Sequence, residues 1–129
     1  MKRILIDTNV YVAFKSGNAE VLNTFRRVDY IGISAIVLGE LLGGFRTGNK
    51  EKQNLKELDE FLSAPRVGTI PVDETTSEFY AEIYRVLRQK GTPIPTNDLW
   101  IAATAMQHGL ALYSMDAHFY RIEGLVLYK

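Results

Sequence analysis

Cysteine is absent from the chain. Its absence excludes a disulfide framework, a thiolate zinc site and a cysteine nucleophile. Charge of either sign in excess is also missing, since 15 Lys and Arg balance 15 Asp and Glu. Nucleic-acid binders usually carry a basic surplus, so only a local basic rim, offset by acids elsewhere, is open to such a function. No apolar run approaches the roughly 18 residues of a membrane span. Met1 leads directly into the short apolar run "RILI", with no secretory leader. The expectation is a soluble, cytoplasmic protein. There is no internal repeat, low-complexity run or linker, and no serine or histidine is set up as a nucleophile.

What is present fits a globular chain. Apolar residues make up 47% of the 129 positions, a composition that builds a core. The length suits one domain over residues 1–129, burying roughly two thirds of the unfolded surface.

The hydrophobic pattern alternates short apolar strands with helices. Strands are expected at Arg3 to Ile6, Tyr30 to Ile33, "RVGTIPV", "LALYS" and the final "LVLY". Helices are expected from Val10 to Lys15, from an Asn18 cap through Arg27, from a Ser34 cap across "AIVLGELLGGF", and over "KEKQNLKELDEFLSA". Asp73 is placed to cap a long helix that stops at Gly91, and "TPIPTN" leads into a last helix closed by Gly109. No strand shows a clean in/out alternation, which argues for strands buried on both faces. The expected fold class is α/β, a three-layer α/β/α domain with a short-stranded, mostly parallel central sheet. In such sheets, ligand sites form past the carboxyl ends of the strands, where strand order reverses.

Four acids interrupt this pattern. Asp7 ends the first strand after "ILI". Glu40 is the one charged residue between Ser34 and Phe45, and its helical neighbours are Ile36, Val37, Gly43 and Gly44. Asp98 stands in the first turn of "TNDLWIAATAMQHG", and Asp116 follows the fourth strand. Carboxylates in apolar settings are costly to ionise, and several in one cleft repel. A hard divalent cation relieves both costs. Four acids suit one metal, or two in the arrangement that clamps an in-line phosphoryl displacement. Each acid also has a structural reading. Asp7 and Asp98 suit helix N-termini, Asp116 suits a turn, and Glu40 suits a buried pair with Arg3 or Arg46. Thr8, Asn9, Ser114 and Asn97 either hydrogen-bond a carboxylate or water there, or shape turns. His108 precedes a helix-ending glycine, and His118, near Asp116, is within reach of a phosphate.

Taken together, "ILIDTNVYVAF", "ISAIVLGELLGGF", "PIPTNDLWIAATAMQHGLAL" and "SMDAHFYRIEGL" make the chain resemble the PIN-domain family, specifically the VapC-type toxins of toxin–antitoxin pairs. The likeness runs nearly end to end. It implies an endoribonuclease dependent on Mg²⁺ or Mn²⁺, with one or two ions, RNA as substrate, a small protein antitoxin as inhibitor, and a homodimer. By motif, the catalytic acids implied are Asp7, Glu40, Asp98 and Asp116, with Asp7, Asp98 and Asp116 on metal. Thr8, Asn9 and Ser114 take supporting or substrate roles; Ser114 stands where the family often has threonine or serine.

Three other classes compete. An aspartyl-phosphate phosphatase needs a second aspartate at the position of Asn9. A receiver-type signalling domain needs a phosphate-accepting aspartate after a central strand and a lysine after a later one; "YIGIS" and "LALYS" offer neither. A catalytically silent scaffold would keep the fold without the chemistry, against which the intact acids weigh.

Overall fold

The computed structural model describes residues 2–129. Four parallel strands form one sheet: β1 (Arg3–Ile6), β2 (Tyr30–Ser34), β3 (Val67–Ile70) and β4 (Ala111–Tyr113). Their spatial order is β3-β2-β1-β4. The helices are α1 (Thr8–Lys15), α2 (Ala19–Arg27), α3 (Ala35–Thr47), α4 (Glu51–Leu62), α5 (Glu74–Lys90) and α6 (Thr96–His108). A 3₁₀ turn follows at Ala117–Arg121.

The missing alternation in the strands is explained by burial on both faces. Ile4, Leu5 and Ile6 of β1 are fully enclosed, as is Ile33 of β2. A parallel sheet of this kind is stable only when helices cover both sides. On one side of the core Tyr11 and Phe14 of α1, Phe25 of α2 and Phe61 of α4 form a ring cluster, with Tyr11 and Phe61 meeting edge to face at 5.3 Å. Helices α5 and α6 pack together, and Tyr80 stacks on Trp100 at 4.2 Å between them.

Local chemistry sets the helix ends. Asn18, Ser34 and Asp73 each accept a backbone N–H of the first turn they precede. Gly109 ends α6 with φ +64, a left-handed conformation that favours glycine. Most expected elements hold to within a few residues, with two differences of note. Helix α1 starts at Thr8 rather than Val10, because Asp7 caps it. The segment "LVLY" does not form a strand of its own: Leu127 makes a single parallel bridge to Leu112, supported by backbone hydrogen bonds from Leu112 to Val126 and from Tyr128 to Leu112. Its short reach follows from the loop before it, which brings the chain alongside a β4 of only three residues.

The strand order positions the site. From β1 the chain moves outward through β2 to β3, then crosses to the far side of β1 to form β4. Strand order therefore reverses between β1 and β4, and the loops leaving their carboxyl ends diverge there. The β1/β4 pairing continues one residue past the strands, as the Asp7 N–H donates to the Tyr113 carbonyl at 2.9 Å. No helix among the described residues is long and apolar enough to cross a membrane.

Candidate active site

Asp7 stands at the end of β1 with only 6% of its surface exposed. One carboxylate oxygen accepts the Thr8 N–H at 2.8 Å, and the other accepts the Ser114 hydroxyl at 2.6 Å. The helix-capping role is thus real, and it uses only part of the carboxylate. Ser114, just past β4, also accepts the backbone N–H of Asp116 at 3.0 Å. Asn9 ties the same loop down by accepting the Met115 N–H at 3.2 Å. This contact absorbs the side chain at the position where a phosphatase would need its second aspartate.

Asp98 lies in the first turn of α6, half-buried, and makes no side-chain cap. Its carboxylate instead meets His118 Nε2 at 2.7 Å, while His118 Nδ1 lies 3.0 Å from Asp116 Oδ1. Ala102, Ala103 and Ala105 behind Asp98 are fully buried, which lets α6 lie close against its neighbours. Candidate ligand atoms of Asp98, Asp116 and His118 all lie within 4.8 Å of one another. Both His118 nitrogens face carboxylates, which accept only, so each contact is a hydrogen bond where that nitrogen carries a proton.

Glu40 differs from its expected setting. It is exposed, not enclosed by apolar residues, and it pairs with neither Arg3 nor Arg46. The Arg3 guanidinium lies over the Tyr30 ring at 5.2 Å, and Arg46 faces Glu51 at 3.7 Å. The glycines flanking Glu40 on the helix leave its face open to solvent rather than covering it. Its carboxylate accepts the Thr8 hydroxyl and, at 3.2 Å, the Asn97 amide. Glu40 is therefore held between the first residues of α1 and α6.

The four acids reach one crevice at the β1/β4 reversal, but not as a symmetric group. The tight cluster contains Asp98, Asp116 and His118, with Asp7 joined to it through Ser114 and Glu40 joined to Asp7 through Thr8. Burial pushes the Asp7 carboxyl above its ordinary range, the bonds from Ser114 and Thr8 oppose this, and the charges of Asp98 and Glu40 add to it. Burial likewise pushes Asp98 up; His118 opposes the shift, and Asp116 and Glu40 reinforce it. Among the described residues, no lysine or arginine forms an ion pair with any of the four. Partly desolvated, mutually repelling carboxylates with no lysine or arginine partner fit a divalent cation held by oxygen.

His118 is the residue the sequence undervalued. A histidine two positions after an acid in a loop gives little signal; only the 3₁₀ turn brings its ring between Asp98 and Asp116.

The fold has known counterparts. The profile of the PIN domain matches residues 4–125. The chain belongs to the PIN domain family. Its PIN-domain relatives are VapC proteins. It is 35% identical over 128 residues to ribonuclease VapC2 of Rickettsia felis, covering 95% of this chain and 94% of that one. It is 31% identical over 116 residues to ribonuclease VapC4 of Mycobacterium tuberculosis, covering 90% and 88%. Among solved structures, VapBC2 from Rickettsia felis bound to a promoter DNA fragment matches with a TM-score of 0.89 at 33% identity, covering 98% of this chain and 97% of that chain. DNA-bound VapBC from Salmonella typhimurium matches with a TM-score of 0.88 at 27% identity, covering 99% and 98%. The PIN domain is thus matched in sequence and in architecture along nearly the whole chain.

Proposed function

We propose that this VapC-type PIN domain is a metal-dependent endoribonuclease and the toxin of a toxin–antitoxin pair. The observation that carries the reading is the meeting of Asp7, Glu40, Asp98 and Asp116 at the β1/β4 reversal, with His118 beside two of them and no lysine or arginine ion pair among the described residues. Its VapC relatives are named ribonucleases, and its structural counterparts are toxin–antitoxin complexes. A small protein antitoxin is accordingly the partner, and a homodimer the working assembly.

Asp7, Asp98 and Asp116 are the residues that would hold Mg²⁺ or Mn²⁺, one ion or two. When bound, the cation supplies a water of lowered pKa and offsets negative charge at the scissile phosphate. The chain's own residues prepare that site. Ser114 aims the Asp7 carboxylate by donating to it and opposes the upward shift that burial imposes. Thr8 and Asn97 fix Glu40, which has no ion pair among the described residues and can accept a proton from a water in the crevice. Asn9 and Ser114 together hold the loop that carries Asp116. His118 occupies the space between Asp98 and Asp116, where it acts as a further ligand or as a donor to a phosphate oxygen.

The test is cleavage of bulk transfer and ribosomal RNA by the purified chain with Mg²⁺, with Mn²⁺ and with EDTA. Fragments that form only with metal, and that vanish in Asp98→Asn, support the reading. Cleavage that survives EDTA or the substitution overturns it. Expression should arrest growth, with relief by a short co-encoded partner protein.

A further inference from the structure

A second cleft opens directly beside the acids, on the other side of Ser114. It encloses about 580 Å³ between α2 and the carboxyl end of β4, within the usual size range of ligand sites. One wall is a single helical face, Glu20, Asn23, Thr24 and Arg27, spaced at three and four residues. The opposite wall is Tyr113 and Tyr128, whose rings lie 5.2 Å apart and inclined by 55°. Met115 forms the lip: its side chain is 51% exposed although Asn9 fixes its backbone. An exposed thioether on an anchored loop, next to an exposed guanidinium and a half-buried phenol ring, is not a packing solution. Arg27 forms no ion pair among the described residues, and Lys2 Nζ lies 5.8 Å from the Tyr128 ring centre.

We propose that this cleft receives the nucleotide next to the scissile phosphate of a single-stranded RNA, with its base against Tyr128 and Met115 and a backbone phosphate on Arg27. The proposal rests on the ribonuclease reading and extends it to where the strand runs. Continuity decides the occupant: Ser114 lines the cleft and also bonds Asp7, so a strand cut at the acids must pass this lip. Chemistry agrees, since single strands are held by aromatic and polarisable faces together with a cation on the backbone. Glu20, at the other end of the same helical face, repels a phosphate, while Lys129 adds a second cation to the lining beside Tyr128.

The experiment uses the full chain and a fluorescein-labelled oligoribonucleotide centred on a cleavage site mapped in bulk RNA, with versions shortened by one nucleotide at a time from each end. Wild type should lose about tenfold in kcat/KM when the flanking nucleotide on one side is removed. Arg27→Gln and Tyr128→Leu/Met115→Ala should lose a similar factor on the long substrate, chiefly through KM, and fall within about threefold of wild type on the shortened one. Variants that match wild type on every substrate, or that lose as much on the short RNA as on the long, overturn the cleft assignment while metal-dependent cleavage stands. Fluorescence anisotropy without metal separates the two ideas. If no cleavage occurs with either metal, a mixed-sequence oligoribonucleotide replaces the mapped one: binding by wild type that Arg27→Gln weakens keeps the cleft as a strand-binding site while the nuclease reading, and with it the place beside a scissile phosphate, falls. If Arg27→Gln releases a co-purified antitoxin yet binds and cuts RNA like wild type, the cleft is a protein contact and the proposal falls.

Discussion

Ser114 joins Asp7 to Asp116, donating its hydroxyl to the Asp7 carboxylate at 2.6 Å and accepting the Asp116 backbone N–H at 3.0 Å. One side chain thereby sets the distance between residues 109 positions apart along the chain. Ser114→Ala removes the donor and leaves Asp7 to burial and to the charges of Asp98 and Glu40. Metal-dependent cleavage should fall by about 10–100-fold, and Ser114→Thr should restore most of it. Initial rates at fixed saturating Mg²⁺ check this; a Ser114→Ala rate equal to wild type would separate Asp7 from the active cluster.

Asp7→Asn and Asp98→Asn should each abolish cleavage while the protein remains folded. Removing one negative charge from a crowded crevice relieves repulsion, so thermal midpoints without metal should hold or rise. Circular dichroism melts and RNA gels on the same samples provide both readouts. A variant that unfolds would show that the acid is structural.

The pH dependence has a defined sign. Asp7 and Asp98 have folded-state pKa values above their unfolded ones. The folded protein therefore keeps protons that the unfolded chain releases, and stability from these two groups falls as pH rises through the folded values. Surface acids such as Asp73 and Glu82 are shifted the opposite way, so the whole-protein curve mixes both signs. The difference between wild type and Asp7→Asn isolates one group. Without metal, the variant should gain relative to wild type as pH rises from about 4, the ordinary aspartate value. A flat difference would contradict the burial assigned to Asp7.

Divalent cation should stabilise the protein even in the absence of RNA. At a concentration about 100 times its dissociation constant, Mg²⁺ or Mn²⁺ would add about 2.7 kcal/mol, a clear rise in thermal midpoint. Asp98→Asn and Asp116→Asn should lose that rise, and EDTA should reverse it in wild type. Calorimetry or a dye-based melt would detect it; an equal rise in both variants would place the ion elsewhere.

Ala102 tests the link between packing and site. It is fully buried on α6, one turn beyond Asp98. Ala102→Leu overfills that contact and should cost about 1–3 kcal/mol, while pushing the start of α6 and its Asp98 away from His118. Urea unfolding should report the first effect, and cleavage rates a loss beyond the fraction unfolded.

Most of the architecture could be read from residue order. The unalternating "RILI" and "YIGIS" announced strands covered on both faces, and Asn18, Ser34, Asp73 and Gly109 marked helix ends by local hydrogen-bonding chemistry that needs no distant partner. "LVLY" misled because apolar strand-forming residues state a propensity, whereas a strand also needs an edge long enough to pair with.

The acids divide along the same line. Asp7 and Asp98 stood out in the sequence because each sits at an element boundary, a position defined by near neighbours. The environment of Glu40 did not: small glycines beside it looked like a closed apolar face and proved to be an open one, with its partners supplied by Thr8 and Asn97 from distant segments. His118 was decided wholly in three dimensions, by a short turn that folds the chain back between two carboxylates. Local order thus determined the elements, their caps and the identity of the acids, because those depend on backbone bonds within a few residues. Only the tertiary structure decided which acids share a crevice and what holds them there, because Coulomb repulsion, burial and hydrogen bonding act through space between residues far apart in the chain.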